Sequence, residues 1–161
     1  MTKRARVVVL LSLSALLFGC DVASKGVAEA NLPGAPISLI DGVLDLRYTQ
    51  NHGVAFNVLR MVPASVKRIV IFVVGFLVLP MVILLWYRHW GEPLHQQLGY
   101  ALIVAGALGN LVDRLVRGYV VDFIHVHHWP IFNVADICVV GGAMWLLLFH
   151  RHHLQTPTET S

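Results

Sequence analysis

Two aspartates stand in apolar surroundings: Tyr119-Val120-Val121-Asp122-Phe123-Ile124 and Ile131-Phe132-Asn133-Val134-Ala135-Asp136-Ile137-Cys138. A charged carboxylate deep in hydrocarbon costs roughly 2.5–3.5 kcal/mol even on lenient insertion scales, and less near the interface. Side chains that carry such a cost usually face a polar cavity and do chemistry there. Two acids in one constellation suit a pair that shares a proton and activates water.

Other polar residues recur at helical spacing. Asp21 and Lys25 are four apart and share a helix face, as do Asn110, Asp113 and Arg114, and as do Asn133 and Asp136. Each set also has a structural reading. Asp21–Lys25 can be an interfacial salt bridge, and Asp113-Arg114 a headgroup anchor. Asn133 can cap a helix whose first turn carries Asp136 at the favourable end of the dipole. Asp122 has the weakest structural account, because both its neighbours are apolar. His125, His127 and His128 follow it closely and can build a metal cluster, but no His-Glu-x-x-His helix or second ligand set accompanies them. Beside Trp129-Pro130 they suit a membrane interface instead. No serine or cysteine nucleophile with a partnered base stands out, nor does a glycine-rich phosphate loop.

The elements that must position these residues follow from composition. Of 161 residues, 57% are hydrophobic and 13% charged, with a mean hydropathy of +0.69. Soluble domains carry about 25% charged residues, so the chain reads as an integral membrane protein. A net charge of +3, spread along the chain, argues against a nucleic-acid partner. Cys20 and Cys138 both lie in apolar segments and read as small hydrophobes. Helices are expected at about 5–26, 68–87, 95–115 and 132–150. The segment 29–67 is too polar to cross a bilayer, and Asp41-Gly42 between apolar runs signals a hairpin turn. The expected fold is an all-α membrane protein, a single domain over 1–161. It has four transmembrane helices and a small β-structured extracytoplasmic lobe, about 29–67, between helices one and two.

The basic start, Lys3, Arg4 and Arg6, places the N-terminus in the cytoplasm, and four crossings return the C-terminus there. All three polar sets then converge on the extracytoplasmic face. The remaining Lys and Arg residues do not decide orientation: Arg88 and Arg151 lie inside, whereas Lys25, Arg47, Arg60, Lys67, Arg68, Arg114 and Arg117 lie at or beyond the outer boundary. Leu17-Phe18-Gly19-Cys20 after a basic, apolar start also reads as a lipobox. Removing that segment would leave three helices, so Asp21 and Lys25 are assigned to the working part of helix one.

With these residues in place, the chain resembles the lipoprotein signal peptidase (signal peptidase II) family, aspartic peptidases of the bacterial cytoplasmic membrane. Five motifs in order carry the resemblance: Asp21-Val-Ala-Ser24-Lys25, Asn51-His-Gly53-Val-Ala55-Phe56, Gly109-Asn110-Leu-Val-Asp113-Arg114, Gly118-Tyr-Val120-Val-Asp122-Phe123 and Phe132-Asn133-Val-Ala135-Asp136. One departure is Ala105-Gly106, where many members have paired glycines; it bears on helix packing only. The resemblance implies Asp122 and Asp136 as the catalytic dyad. It implies Asp21, Lys25, Asn51, Gly53, Phe56, Asn110, Asp113, Arg114 and Asn133 as substrate-binding or site-supporting residues. It further implies a multi-pass inner-membrane enzyme with both termini cytoplasmic and its site at the extracytoplasmic face. The implied substrate is a diacylglyceryl-modified prolipoprotein, cleaved just before its lipidated cysteine. No metal or other cofactor and no nucleic acid is expected, and one chain carries a whole site, as a monomer. The alternatives are a small transporter or metal-handling protein using Asp122, Asp136 and His125–His128, and an inactive lipoprotein anchored through Cys20.

Overall fold

The computed structural model describes residues 2–52 and 64–153. Helix α1 spans Lys3–Asn31, α2 Ala64–Arg88, α3 Leu94–Val116 and α4 Val134–His153. Three strands, β1 (Ile37–Ile40), β2 (Leu44–Asn51) and β3 (Val120–Val126), form one antiparallel sheet in that order. The architecture is therefore mostly helical with a small sheet. Among the described residues, α1 and α3 are long and apolar enough to cross a membrane, and shorter apolar stretches occupy Phe76–Arg88 and Val134–Phe149. Many large apolar side chains on the helices point outward, among them Val8, Leu11, Leu16, Leu77, Leu147 and Leu148. Apolar exposure on this scale is foreign to a water-soluble monomer and suits helices that meet lipid.

Local signals explain the element ends. Thr2 caps α1, its hydroxyl accepting from the Ala5 amide at 3.2 Å. Gly118, at φ +79°, ends α3 in the left-handed region, its amide donating to the Arg114 carbonyl at 3.1 Å. Gly42, at φ +70°, turns the chain between β1 and β2 where Asp41-Gly42 signals a hairpin. Helix α1 runs about five residues past the expected end, through Cys20 without a break.

The sheet corrects the expected lobe. Its third strand comes from the connection between α3 and α4 rather than from residues 29–67. The reason lies in Val120-Val121-Asp122-Phe123-Ile124: β-branched and aromatic residues favour a strand, and pairing with β2 satisfies their backbone. Val121 and Phe123 pack with Ala28 of α1 and its C-cap Leu32, so the small sheet is anchored on the end of that helix.

Helix α3 packs against all three other helices. Glycines set its closest approach to α4. A Cβ on Gly106 would overlap the Ala135 carbonyl and come within 2.9 Å of Val139 Cγ2. A Cβ on Gly142 would lie 2.7 Å from the Gly99 carbonyl. Small residues at such a seam let helix backbones meet where lipid offers no hydrophobic drive. Ala105, the departure noted in the sequence, is itself buried and fits without a second glycine.

Candidate functional site

Asp122 and Asp136 approach one polar cluster from different elements, a strand and a helix start. On β3, Val121 and Phe123 face α1 while Asp122 between them turns the other way. Its Oδ1 accepts from Asn133 Nδ2 at 2.7 Å and its Oδ2 from Asn51 Nδ2 at 2.8 Å. Asp136 sits in the first turn of α4, where a capping box holds it. Asn133 Oδ1 accepts from the Asp136 amide at 3.0 Å, and Asp136 Oδ2 accepts from the Asn133 amide at 3.2 Å. The other oxygen, Oδ1, accepts from Asn110 Nδ2 at 2.8 Å. Asn133 also donates to Asn110 Oδ1 at 3.2 Å. Three asparagines thus lace the two carboxylates together, with Asn133, fully buried, touching both.

Burial pushes the Asp122 carboxyl up from its ordinary 3.8 to about 6, with the charge of Asp136 adding to the rise. The amides of Asn51 and Asn133 oppose it, since both donate to the carboxylate form. Arg114, donating to the Asn110 carbonyl at 3.2 Å, lies within electrostatic range of Asp122 and Asp136.

A second, fully buried cluster lies behind the first. Lys25 Nζ donates to Asp21 Oδ2 at 2.7 Å and Asn110 Oδ1 at 3.0 Å, and lies 3.1 Å from Asp113 Oδ2. Lys25 is 0% exposed, and Asp21 and Asp113 each 1%, so this is no headgroup pairing. Each carboxylate also grips main chain. Asp21 Oδ1 accepts from the Ala135 amide at 2.9 Å, next to Asp136. Asp113 Oδ2 accepts from the Val121 amide at 3.2 Å, next to Asp122. The two acids that flank Lys25 therefore hold the backbone just before each aspartate of the candidate dyad.

The polar sets expected to share one face do meet, through Lys25–Asn110, Asn110–Asp136 and Asp21–Ala135. Gly53 and Phe56 lie outside the described residues; Asn51, at the end of β2, lies within them. Arg117 and Glu29 escape the sequence reading. Arg117 pairs with Asp113 and, at 3.2 Å, with Glu29, whose other oxygen accepts from the Tyr119 hydroxyl at 3.1 Å. The four-residue step from Asp113 to Arg117 is the signal that points to the first of these pairs. The histidines stand apart from the cluster: His125 lies 3.5 Å from Asp45, and His127 and His128 meet edge to face.

Comparison with known proteins matches the chain to named relatives. The family model described as Signal peptidase (SPase) II matches residues 13–151. The lipoprotein signal peptidase of Caldicellulosiruptor bescii is 36% identical over 129 residues, covering 80% of this chain and 81% of that protein. That of Syntrophomonas wolfei is 39% identical over 127 residues, covering 79% and 81%. That of Xanthomonas axonopodis pv. citri is 37% identical over 145 residues, covering 86% and 83%. A solved structure of a bacterial membrane enzyme superposes with a TM-score of 0.77 at 21% identity, over 95% of this chain and 93% of that one, and shares the fold. On the extent of the family match and the identity of these relatives, the chain belongs to the signal peptidase II family.

Proposed function

We propose that this protein is a bacterial membrane peptidase that removes signal peptides from prolipoproteins, using Asp122 and Asp136 as an aspartic dyad. Family membership carries the peptidase reading and sets aside the transporter alternative. The observation that carries the dyad is the convergence of both carboxylates on Asn133, which donates to one and caps the helix of the other.

Water is a poor nucleophile, so one ionised aspartate takes its proton as it attacks the scissile carbonyl, while the protonated partner polarises that carbonyl. The acid then delivers its proton to the departing amine. Two close carboxylates cannot both ionise cheaply, so the pair works with one shared proton. Burial raises Asp122 to about 6, which favours its protonated form. The titration still belongs to the pair rather than to either residue. Asn110 and Asn133 fix the carboxylates, and Arg114 supplies positive charge where negative charge develops.

The four helices cross the inner membrane with both termini in the cytoplasm, and the sheet and dyad lie at the extracytoplasmic end. The substrate carries diacylglycerol on its lipobox cysteine, and cleavage falls just before that residue. Its acyl chains stay in lipid while the peptide reaches the dyad, and one chain provides the whole site. Hydrolysis of a diacylated prolipoprotein by the detergent-purified protein tests this. Activity should survive a chelator and disappear in both Asp122→Asn and Asp136→Asn. Cleavage retained in either variant refutes the dyad.

A further inference from the structure

The β1–β2 hairpin carries apolar side chains that nothing in the catalytic reading uses. Leu39 and Ile40 are each 55% exposed and Val43 52%. The turn after β3 joins them, because the His127 amide donates to the Val43 carbonyl at 2.9 Å. That contact sets Trp129, 62% exposed, at the same end of the sheet. The residue before it, His128, takes a positive φ of 66°, a conformation that side chains other than glycine seldom adopt. Two separate loops thus bring exposed apolar side chains to one end of the sheet, with Asp41, His127 and His128 exposed among them, and β1 is in addition an edge strand.

The depth of this surface follows from α1. At about 1.5 Å per residue, a hydrocarbon core of about 30 Å takes up about 20 residues. Counted from Val7, just after the basic residues, those end near Gly26. Val27 then lies at the boundary, and it is outward-facing on the same side of α1 as Leu16, three turns below. Next to Val27 an apolar cavity of about 280 Å³ runs between α1 and the hairpin, lined by Val27, Ala28, Leu32, Ile37 and Phe123 among others. The lipid-facing side of α1 therefore continues through this largely apolar cavity, whose lining also includes Ser24 and Asn31, onto Ile37 and the hairpin.

We propose that the β1–β2 hairpin and Trp129 dip into the lipid leaflet at the C-terminal end of α1, and that an acyl chain of a bilayer lipid occupies the cavity beside Val27. Trp129 suits the interface, where its ring stays partly apolar and partly wet. Asp41, hydrogen-bonded to Ser38, and the Arg47–Asp45 pair hold the hairpin at interfacial depth. The occupant is bilayer lipid rather than the substrate's lipid, because β3 separates the cavity from Asp122: Phe123 lines the cavity and Asp122 faces away. The proposal rests on the reading that α1 spans a membrane, not on the dyad.

Spin labels test it in the full chain. In a Cys20→Ala background, with Cys138 buried, nitroxides are attached at Ile40→Cys and Val43→Cys. Reference labels go on Leu16→Cys for lipid and Thr2→Cys for water. The protein is placed one copy per nanodisc of phosphatidylcholine and phosphatidylglycerol, and accessibility to oxygen and to a nickel chelate is read by power saturation. The expected oxygen-to-nickel ratio at Ile40 and Val43 is several-fold above that at Thr2 and below that at Leu16, which lies near the bilayer centre. A ratio like Thr2 overturns the proposal. Exclusion of both reagents also overturns it, since protein would then cover the patch. A water-like Leu16 would sink the membrane reading itself, whereas a lipid-like Leu16 beside a water-like Ile40 sinks the hairpin proposal alone.

Discussion

Replacing Lys25 with methionine tests how the site is held in place. Lys25 is fully buried and is the cation between Asp21 and Asp113. Methionine nearly preserves its volume, so the change is mainly one of charge. Removing one partner of a buried ion pair costs about 3–5 kcal/mol, because the remaining charge has no compensation. The loss falls mostly on Asp21, which keeps only the Ala135 amide and the local Ser24 contact of its own carbonyl. Asp113 still has Arg117 and the Val121 amide. For a chain of this size, each kcal/mol moves Tm by about 2–4 °C, so a fall of about 10 °C is expected in detergent. The kcat should fall with it, as the Ala135 clamp beside Asp136 loosens. Asp21→Asn/Lys25→Met removes the stranded charge while the amide oxygen can still accept from Ala135, and should regain about half the lost stability. A Lys25→Met effect under about 1 kcal/mol, or a double variant no better than the single, would refute the reasoning.

The remaining predictions concern protonation and packing. With the dyad active in its singly protonated form, kcat/KM should fall as pH rises through about 6, where Asp122 gives up its proton. Asn51→Leu removes a donor to its carboxylate, so that midpoint should move upward; a midpoint that stays or drops refutes the assignment. Because the folded value lies above the ordinary 3.8, the folded state binds the extra proton, and Asp122's contribution to stability should decline between about pH 4 and 6. Thermal melts of the wild type against Asp122→Asn across that range would read it out. Gly109→Ala should cost about 1–3 kcal/mol and reduce activity, since its Cβ would overlap the Asp21 carboxylate and lie 3.4 Å from Ala135 Cβ. Gly141→Ala, with nothing within 4 Å, should be neutral or slightly stabilising in the same melts.

Side-chain spacing was the most legible part of this site. Asp21 with Lys25 and Asn133 with Asp136 are set three or four apart, and the helix period alone puts each pair on one face. Asn133 does cap α4, so the structural and the functional readings of that motif are both present in one residue. What could not be read was where the chain's own amides would go. Asp113 reaches the Val121 N–H and Asp21 the Ala135 N–H, and backbone donors leave no mark in a sequence. The strand Val120–Val126 is hidden in the sequence for a related reason. A short apolar run between two helices has no period long enough to tell strand from loop, and its pairing partner lies about 75 residues earlier in β2.

The clamp between Asp21 and Ala135 joins residues 114 positions apart, from the first helix to the start of the last. A nascent chain therefore meets the elements of this site in a fixed order. Helix α1 enters with Asp21 and Lys25 already able to neutralise each other one turn apart, which lowers the cost of carrying two charges into lipid. Asp122 follows on β3, still without Asp136. Only when α4 arrives do Asp136, its cap and the Ala135 amide complete the cluster. On the dyad proposed above, the centre stays incomplete until the last helix arrives, and that helix acts as a safety catch.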